Sequence, residues 1–390
     1  MNTLGWILIW VPFVCTGYAY LVYPALLALL GRRTQPDAPL DPADWPLVTI
    51  AIPAYNEERQ IRGAIEAVLA QDYPPDKRQI LILSDASTDA TDDIIREYAS
   101  RGVELLRMPA RMGKTAAENA SCALIRGSIV VNTDSSIRLH RSMVRALVLH
   151  MADPAVGVAS SRDVSVSPND ASANQAEAGY VDYEMKIRAL ETRTGGIVGA
   201  SGSGYAIRTE LHRIQIRPDL SRDFSAALTA RLRGYSAVSV DDAICYVPRT
   251  SVLSREYRRK VRTISRGMET LYHNRALLNP SEYGSFSWKL ISHKIVRWLV
   301  PHSGLLGLAG LLILSSNSWL ARALSIASLA LLVTTFIVSC LPEGKRVPRL
   351  VSAMAFGVAA NIAVIHASWR FVVGHEDHIW EPTRRASASI

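Results

Sequence analysis

Two apolar blocks, one at each end of the chain, bracket a polar middle, and this division constrains the fold more than any other feature. From Leu4 to Gly31 there is no charged residue for 28 positions, after which Arg32 and Arg33 come directly. A bilayer core takes about 20 apolar residues as helix. A cleaved signal peptide would show a positive start, a shorter apolar stretch and a small-residue cleavage site, so a retained span is the expectation. The paired arginines are then expected to keep the polar middle of the chain in the cytoplasm. Apolar runs return over Ile295 to Leu314, Trp319 to Leu341 and Leu350 to Val373, broken by Ser315-Ser-Asn and Glu343-Gly-Lys-Arg, which makes four expected spans. The parity of four puts the C-terminus outside. Arg384 and Arg385 in the tail, with His366, Trp369 and Arg370 in the last run, argue the other way.

Hydrophobic residues make up 49% and charged residues 20%, which excludes whole-chain disorder. The net charge of +8 lies largely beside the apolar runs, as suits a lipid headgroup or a phosphorylated metabolite; no nucleic-acid partner is expected. Cys15, Cys122, Cys245 and Cys340 are far apart, with no CxxC and no Cys/His cluster, so neither a disulfide scaffold nor a zinc ribbon is expected.

The expected organisation is an N-terminal span (1–33), a Pro-rich linker (34–46), an α/β domain (47–250), basic amphipathic interfacial helices (251–294), about three C-terminal spans (295–374) and a polar tail (375–390). Strands are predicted at Val48 to Ile52, Ile80 to Leu83, Val103 to Leu106, Ile129 to Asn132 and Val156 to Ala159. Helices are predicted at Glu58 to Gln71, Thr91 to Ser100 and Lys114 to Ile125. Repeated βαβ units imply a Rossmann-like, mostly parallel sheet whose polar loops gather along one edge, where a ligand should sit. From Ser254 to Arg275 the arginines 255, 258, 259, 262 and 266 recur at helical spacing, beside Val252, Leu253, Leu271 and Tyr272; this suits a helix lying on anionic lipid.

Four loops carry candidate chemistry. Pro53-Ala54-Tyr55-Asn56-Glu57 comes after the first strand and reads most simply as a strand-to-helix turn with Asn56 as helix cap. Ser84-Asp85-Ala86-Ser87-Thr88-Asp89 comes after the second. Its acids can cap the next helix, or accept the imide N–H and ribose hydroxyls of a nucleoside. Asn132-Thr133-Asp134-Ser135-Ser136 ends an apolar strand and is either a turn or an oxygen ligand for Mg²⁺ or Mn²⁺. Asp223, in Ser221-Arg222-Asp223-Phe224, is a helix N-terminal charge or a general base.

Taken in order, Pro-Ala-Tyr-Asn-Glu, the Ser-Asp-Ala-Ser-Thr-Asp loop, Gly113-Lys114-Thr115 and the strand-ending Thr-Asp-Ser resemble the inverting family 2 glycosyltransferases, whose soluble domain has the GT-A fold. The likeness covers about Leu47 to Gly267. It is greatest to the membrane-bound branch that includes hyaluronan, cellulose and poly-N-acetylglucosamine synthases. The resemblance implies a hexosyltransferase acting on a nucleotide sugar, UDP-linked by preference, with a saccharide or lipid-linked acceptor. It also implies a bacterial inner (plasma) membrane setting, with the catalytic domain cytoplasmic and a role in cell-envelope polysaccharide or glycolipid synthesis. Pro53, Ala54, Tyr55 and Glu57 would line the nucleotide pocket with Asp89 and Lys114, Asp85 would meet the uracil or ribose, and Gly202 would lie near the acceptor. Asp134 with Ser136 would hold the metal, Asp223 would be the base, and Arg259 and Arg262 would lie beside the diphosphate. Three positions depart from the family pattern. Ser136 stands where Asp-x-Asp has its second acid, the base motif reads Arg-Asp, and Arg259-Lys-Val-Arg262-Thr263 lacks the Gln and Trp of Gln-x-x-Arg-Trp. The last departure argues against a processive polymer synthase.

Other classes fail on specific positions. A P-loop needs glycine at position 108, which is Met, and the first βα loop has no GxGxxG. Transporter spans would carry more ionisable residues. A catalytically inactive, nucleotide-sugar-binding partner of a synthase complex is the remaining alternative.

Overall fold

The computed structural model describes residues 2–31, 41–166, 172–248, 253–341 and 347–374. Arg32 and Arg33, the prolines at 36 and 39, Val252, the break at 343–346, and Arg384 and Arg385 lie outside the described residues.

The chain opens with α1 (Asn2–Gly17), a π-helical turn (Tyr18–Val22) and α2 (Tyr23–Leu30), a nearly continuous apolar helix. Pro24 has no N–H to donate and crowds the preceding turn, which accounts for the register change there. The soluble domain is built on strands β1 (Val48–Ala54), β2 (Arg78–Ser84), β3 (Val103–Arg107), β4 (Ile129–Thr133), β5 (Arg138–Leu139), β6 (Val156–Val166), β7 (Gly204–Arg208) and β8 (Ser236–Pro248). They form one sheet in the order β3-β2-β1-β4-β7-β6-β8-β5. The β3-β2-β1-β4 half is parallel, β7 is antiparallel to both neighbours, and β6 pairs β8 in parallel.

Side-chain alternation divides the core into two layers. Ile50, Ile52, Ile80, Ile82 and Val131 pack on one face, while Ala51, Leu81, Leu83 and Val130 pack on the other. α3 (Ile61–Leu69), α4 (Thr91–Glu97) and the later α6 (Met143–His150) cover the first face; α5 (Lys114–Ser121), α8 (Thr209–His212) and α9 (Arg222–Leu232) cover the second, and α7 (Ser172–Arg193) precedes β7. Burial on both faces explains why these strands read as continuous apolar runs.

α10 (Leu253–His273) comes after the sheet, then α11 (Pro280–Tyr283), α12 (Ser285–Leu290), a π-helical turn (Ile291–Val296), α13 (Arg297–Leu314), α14 (Trp319–Cys340) and α15 (Arg349–Val372). Among the described residues, four helices are long and apolar enough to cross a membrane: Thr3–Leu30, Ser285–Leu314, Trp319–Cys340 and Leu350–Val372. The second begins ten residues before the sequence-based expectation because its first turns carry paired charges. His293 Nδ1 and Nε2 each lie 2.6 Å from a carboxylate oxygen, of Glu191 and Glu184 respectively; Arg297 also donates to Glu184, and the Tyr23 hydroxyl to Glu191. Lys289 donates to the Gly196 carbonyl. α1 and α13 meet at glycines: a Cβ on Gly310 would sit 2.7 Å from the Gly5 carbonyl, and one on Gly307 2.7 Å from Pro12.

Gly127 enters β4 against β1, where a Cβ would lie 2.5 Å from the Thr49 nitrogen. Gly127→Val is expected to cost about 1–3 kcal/mol by overpacking, read as a lower thermal midpoint; an unchanged midpoint would show that the strand entry has room.

Candidate active site

Because β1, β2 and β4 run parallel, with Ala54 opposite Ser84 and Ala51 opposite Asn132, the loops after them emerge on one edge. The first two loops are tied to each other. Asn56 and Ala86 both adopt positive φ, 53° and 58°. Asn56 Oδ1 accepts from Thr88 N–H at 2.8 Å, its own N–H donates to Ser87 Oγ, and Glu57 N–H donates to Thr91 Oγ1. Asn56 therefore joins the loops and does not cap a helix at Glu57; α3 begins at Ile61.

Asp89 accepts from Thr91 N–H and Oγ1 and from Glu58 N–H, holding the start of α4. Asp85 is 2% exposed and accepts from Met112 N–H and Gly113 N–H at 2.8 Å each, which fixes the turn that presents Lys114. Ala54 is buried and supplies its carbonyl to Asp85 N–H. Tyr55 lies under the Arg111 guanidinium, 3.9 Å from the ring centre.

A cleft of about 220 Å³ opens beside these loops. Of the residues singled out from sequence, Glu57, Lys114, Asp134, Ser136, Gly202, Asp223, Arg259 and Arg262 line it, while Pro53, Ala54, Tyr55, Asp85 and Asp89 do not. Thr115, Ser221, Arg222 and Arg266 join the wall. Arg266 donates to the Pro218, Asp219 and Leu220 carbonyls, and Arg222 to the His212 carbonyl and Asn119, so both hold the approach to Asp223. Arg266 is visible in the sequence on the same helical stripe as Arg259 and Arg262; no sequence signal marks Arg222 for this work.

Asp223 Oδ1 accepts from Phe224 N–H and from Ser221 Oγ, and Oδ2 lies beside Gly202, where a Cβ would stand 2.7 Å away. Opposite it, Lys114 Nζ meets Asp134 Oδ1 at 2.5 Å. Burial alone would lower the Lys114 pKa, but Asp134, Glu118 and Asp223 outweigh it and hold it raised. Beneath Lys114, Glu118 is 0% exposed, among the described residues neither of its oxygens has a hydrogen bond, and Arg222 Nε stands 3.8 Å away. Burial pushes its carboxyl up, against the pull of Lys114 and Arg222.

Asp134 and Ser136, the two residues expected from sequence to hold a divalent ion, both line the cleft, and among the described residues no group of three His, Cys, Asp or Glu could hold one. With Lys114 on one Asp134 oxygen, this set fits a hard cation that takes its remaining ligands from a bound diphosphate and water.

The sheet, its helical layers and the edge cleft define a GT-A architecture. The solved mannosyltransferase from Pyrobaculum calidifontis, in complex with GDP-Man and Mn2+, shares the fold with a TM-score of 0.74 at 23% identity, over 95% of this chain and 100% of that one. Residues 49–213 match the family model "Glycosyl transferase family 2". Among curated relatives, an N-acetylglucosaminyltransferase of Bradyrhizobium diazoefficiens is 25% identical over 297 residues, 70% of this chain and 59% of the relative. Glycosyltransferase AglE of Haloferax volcanii is 26% identical over 36% of this chain and 47% of its own length. A beta-monoglucosyldiacylglycerol synthase of Synechocystis is 25% identical over 51% and 43%. The chain therefore spans about half the length of these relatives.

A carboxyl that holds its proton better folded than unfolded lends stability that is complete below the unfolded value, 4.5, and lost as pH rises through the raised folded value. Glu118→Gln removes that loss. The thermal midpoint of the variant should gain on the native chain from pH 5 to pH 8, and a constant gap would place the Glu118 proton elsewhere.

Proposed function

We propose that this chain is a membrane-bound inverting glycosyltransferase that moves a hexose from a nucleotide sugar, UDP-linked by preference, to a saccharide or lipid-linked acceptor in envelope polysaccharide or glycolipid synthesis. The observation that carries this reading is the cleft itself: Asp223, with its Oδ2 beside Gly202, lines it together with three cations, Lys114, Arg259 and Arg262. The four apolar helices and the basic α10 suit a domain held on the cytoplasmic face of a bacterial inner membrane.

The acceptor hydroxyl oxygen attacks the anomeric carbon and its proton passes to Asp223 Oδ2. The bond from that carbon to the diphosphate oxygen breaks with its electron pair, and the configuration inverts in one in-line step. Negative charge grows on the leaving oxygen, and preformed cations lower the barrier most where charge develops. Arg259 and Arg262 on α10 supply such charge, Arg259 being oriented by buried Glu256 at 2.8 Å from its Nε. Lys114 supplies a second centre. When bound on Asp134, with Ser136 alongside, a divalent ion adds Lewis-acid stabilisation of the diphosphate. Glu57, and Tyr55 with Arg111 over its ring, stand on the side expected to receive the nucleoside.

Loss of a positioned base costs about 100- to 10,000-fold. Asp223→Asn should lose transfer by that factor while binding UDP as before, measured over a panel of UDP-sugars with and without Mn²⁺; normal turnover removes Asp223 from this role. UDP binding with no turnover by the native chain against any donor would favour the inactive-partner reading. Charge reversal separates catalysis from lipid contact along α10. Arg262→Glu should reduce transfer at least about tenfold more than Arg255→Glu, whereas equal losses would assign the stripe to the lipid surface.

A further inference from the structure

Another cavity, of about 560 Å³, lies between α10, α14 and α15, away from the catalytic cleft. Its walls are mostly apolar, with Leu253 from α10, Leu332 and Phe336 from α14, and Ala359 and Ile362 from α15; Ser254, Thr335 and Ser339 also line it, the last two with their hydroxyls donated to carbonyls of α14. Phe336 is 69% exposed, so the cavity opens on the side of the apolar helices. One wall is different. Arg258 lines it, and among the described residues its guanidinium has no hydrogen-bond, ion-pair or ring partner. Tyr257, on the same wall, is fixed by its hydroxyl against His366 Nδ1 at 2.9 Å and by stacking on that ring.

The helix geometry joins this cavity to the catalytic cleft. Arg258 and Arg262 are four residues apart on α10 and therefore neighbours on one face, about 6 Å apart at their Cβ atoms. Arg258 belongs to the apolar cavity and Arg262 to the cleft that holds Asp223. A cation at the mouth of an apolar slot complements a molecule with an aliphatic tail and an anionic head. The arginine ridge leads from that head towards the reacting centre.

We propose that this cavity holds the tail of an anionic lipid acceptor, with its phosphate on Arg258 and its glycosyl-accepting head directed along the ridge to Arg262 and Asp223. The inference rests on the glycosyltransferase reading and deepens it, because it selects the lipid-linked class of acceptor. A soluble saccharide would have no use for the apolar slot, and a bilayer lipid with no part in transfer would leave activity indifferent to it.

The test uses the full chain in neutral detergent, with dodecyl phosphate as probe and dodecanol and inorganic phosphate as comparators, bound molecules being counted by native mass spectrometry. The native chain should retain dodecyl phosphate and neither comparator. Arg258→Glu, and Ala359→Phe, which fills the slot, should each weaken retention about tenfold or more. Equal retention by both variants, or retention of dodecanol as strong as that of dodecyl phosphate, overturns the site; retention of inorganic phosphate alone marks a free-phosphate site and overturns it too. Transfer from UDP-sugars into solvent-extractable lipid in native membranes should fall in both variants while UDP binding stays unchanged. Unaltered lipid transfer overturns the acceptor role. If the native chain binds dodecyl phosphate but no UDP, the glycosyltransferase reading fails and the lipid site stands; if it binds UDP but no dodecyl phosphate, this inference alone fails.

Discussion

The cleft depends on charge compensation around one ammonium group. Lys114 stands between Asp134 and Glu118 and within reach of Asp223, and without it three carboxylates would share a partly dry site. Opposite charges at such separations interact far more strongly than in water, and the penalty for leaving one unpaired is several kcal/mol. Much of the local architecture serves to place this lysine. Asp85 commits both oxygens to the N–H groups of Met112 and Gly113, just before it. Asn56 and Asp89 brace the loops from which that turn hangs. Acids that line the cleft, Asp134 and Asp223, and an acid that holds backbone, Asp85, thus differ in which of their oxygens are already bonded.

A second set of buried charges fastens the domain to the apolar helices. Glu184 and Glu191 on α7 flank His293, while Arg297 and Tyr23 complete the group from α13 and α2. Lys289 fixes the carbonyl of Gly196, in the segment that continues to Gly202. The floor beside Asp223 is therefore positioned from the apolar helices as well as from the sheet. Lys294, over the Phe224 ring at 5.0 Å, extends the same contact to the residue next to Asp223.

Much of this is legible in the sequence, and the exceptions have physical causes. β1, β2 and β4 are readable because both faces are buried and their runs are largely apolar. β7 is obscured by the glycines that precede it, and β8 because its burial alternates over polar residues such as Ser239 and Asp241. The second apolar helix starts earlier than its hydropathy suggests because Lys289, His293 and Arg297 look like solvent-facing charges until their partners, more than ninety positions away, are in place. In the cleft, motif order points to Asp134, Asp223 and the α10 arginines. Glu118 is beyond its reach, since a carboxylate in the middle of an amphipathic helix reads as surface, whereas in the fold it is buried with the Arg222 guanidinium 3.8 Å away.

The glycine contact between α1 and α13 has a consequence for the domain enclosed between them. These helices belong to opposite ends of the chain, and close backbone approach is a strong basis for helix association in lipid. While they stay paired, the intervening polypeptide is a closed ring even when its sheet is disrupted. For a loop of roughly 300 residues, closure removes on the order of 5 kcal/mol of chain entropy from the disordered ensemble. The apolar helices thereby favour refolding of a domain whose sheet core they do not enter, in the manner of a cross-link that contains no covalent bond.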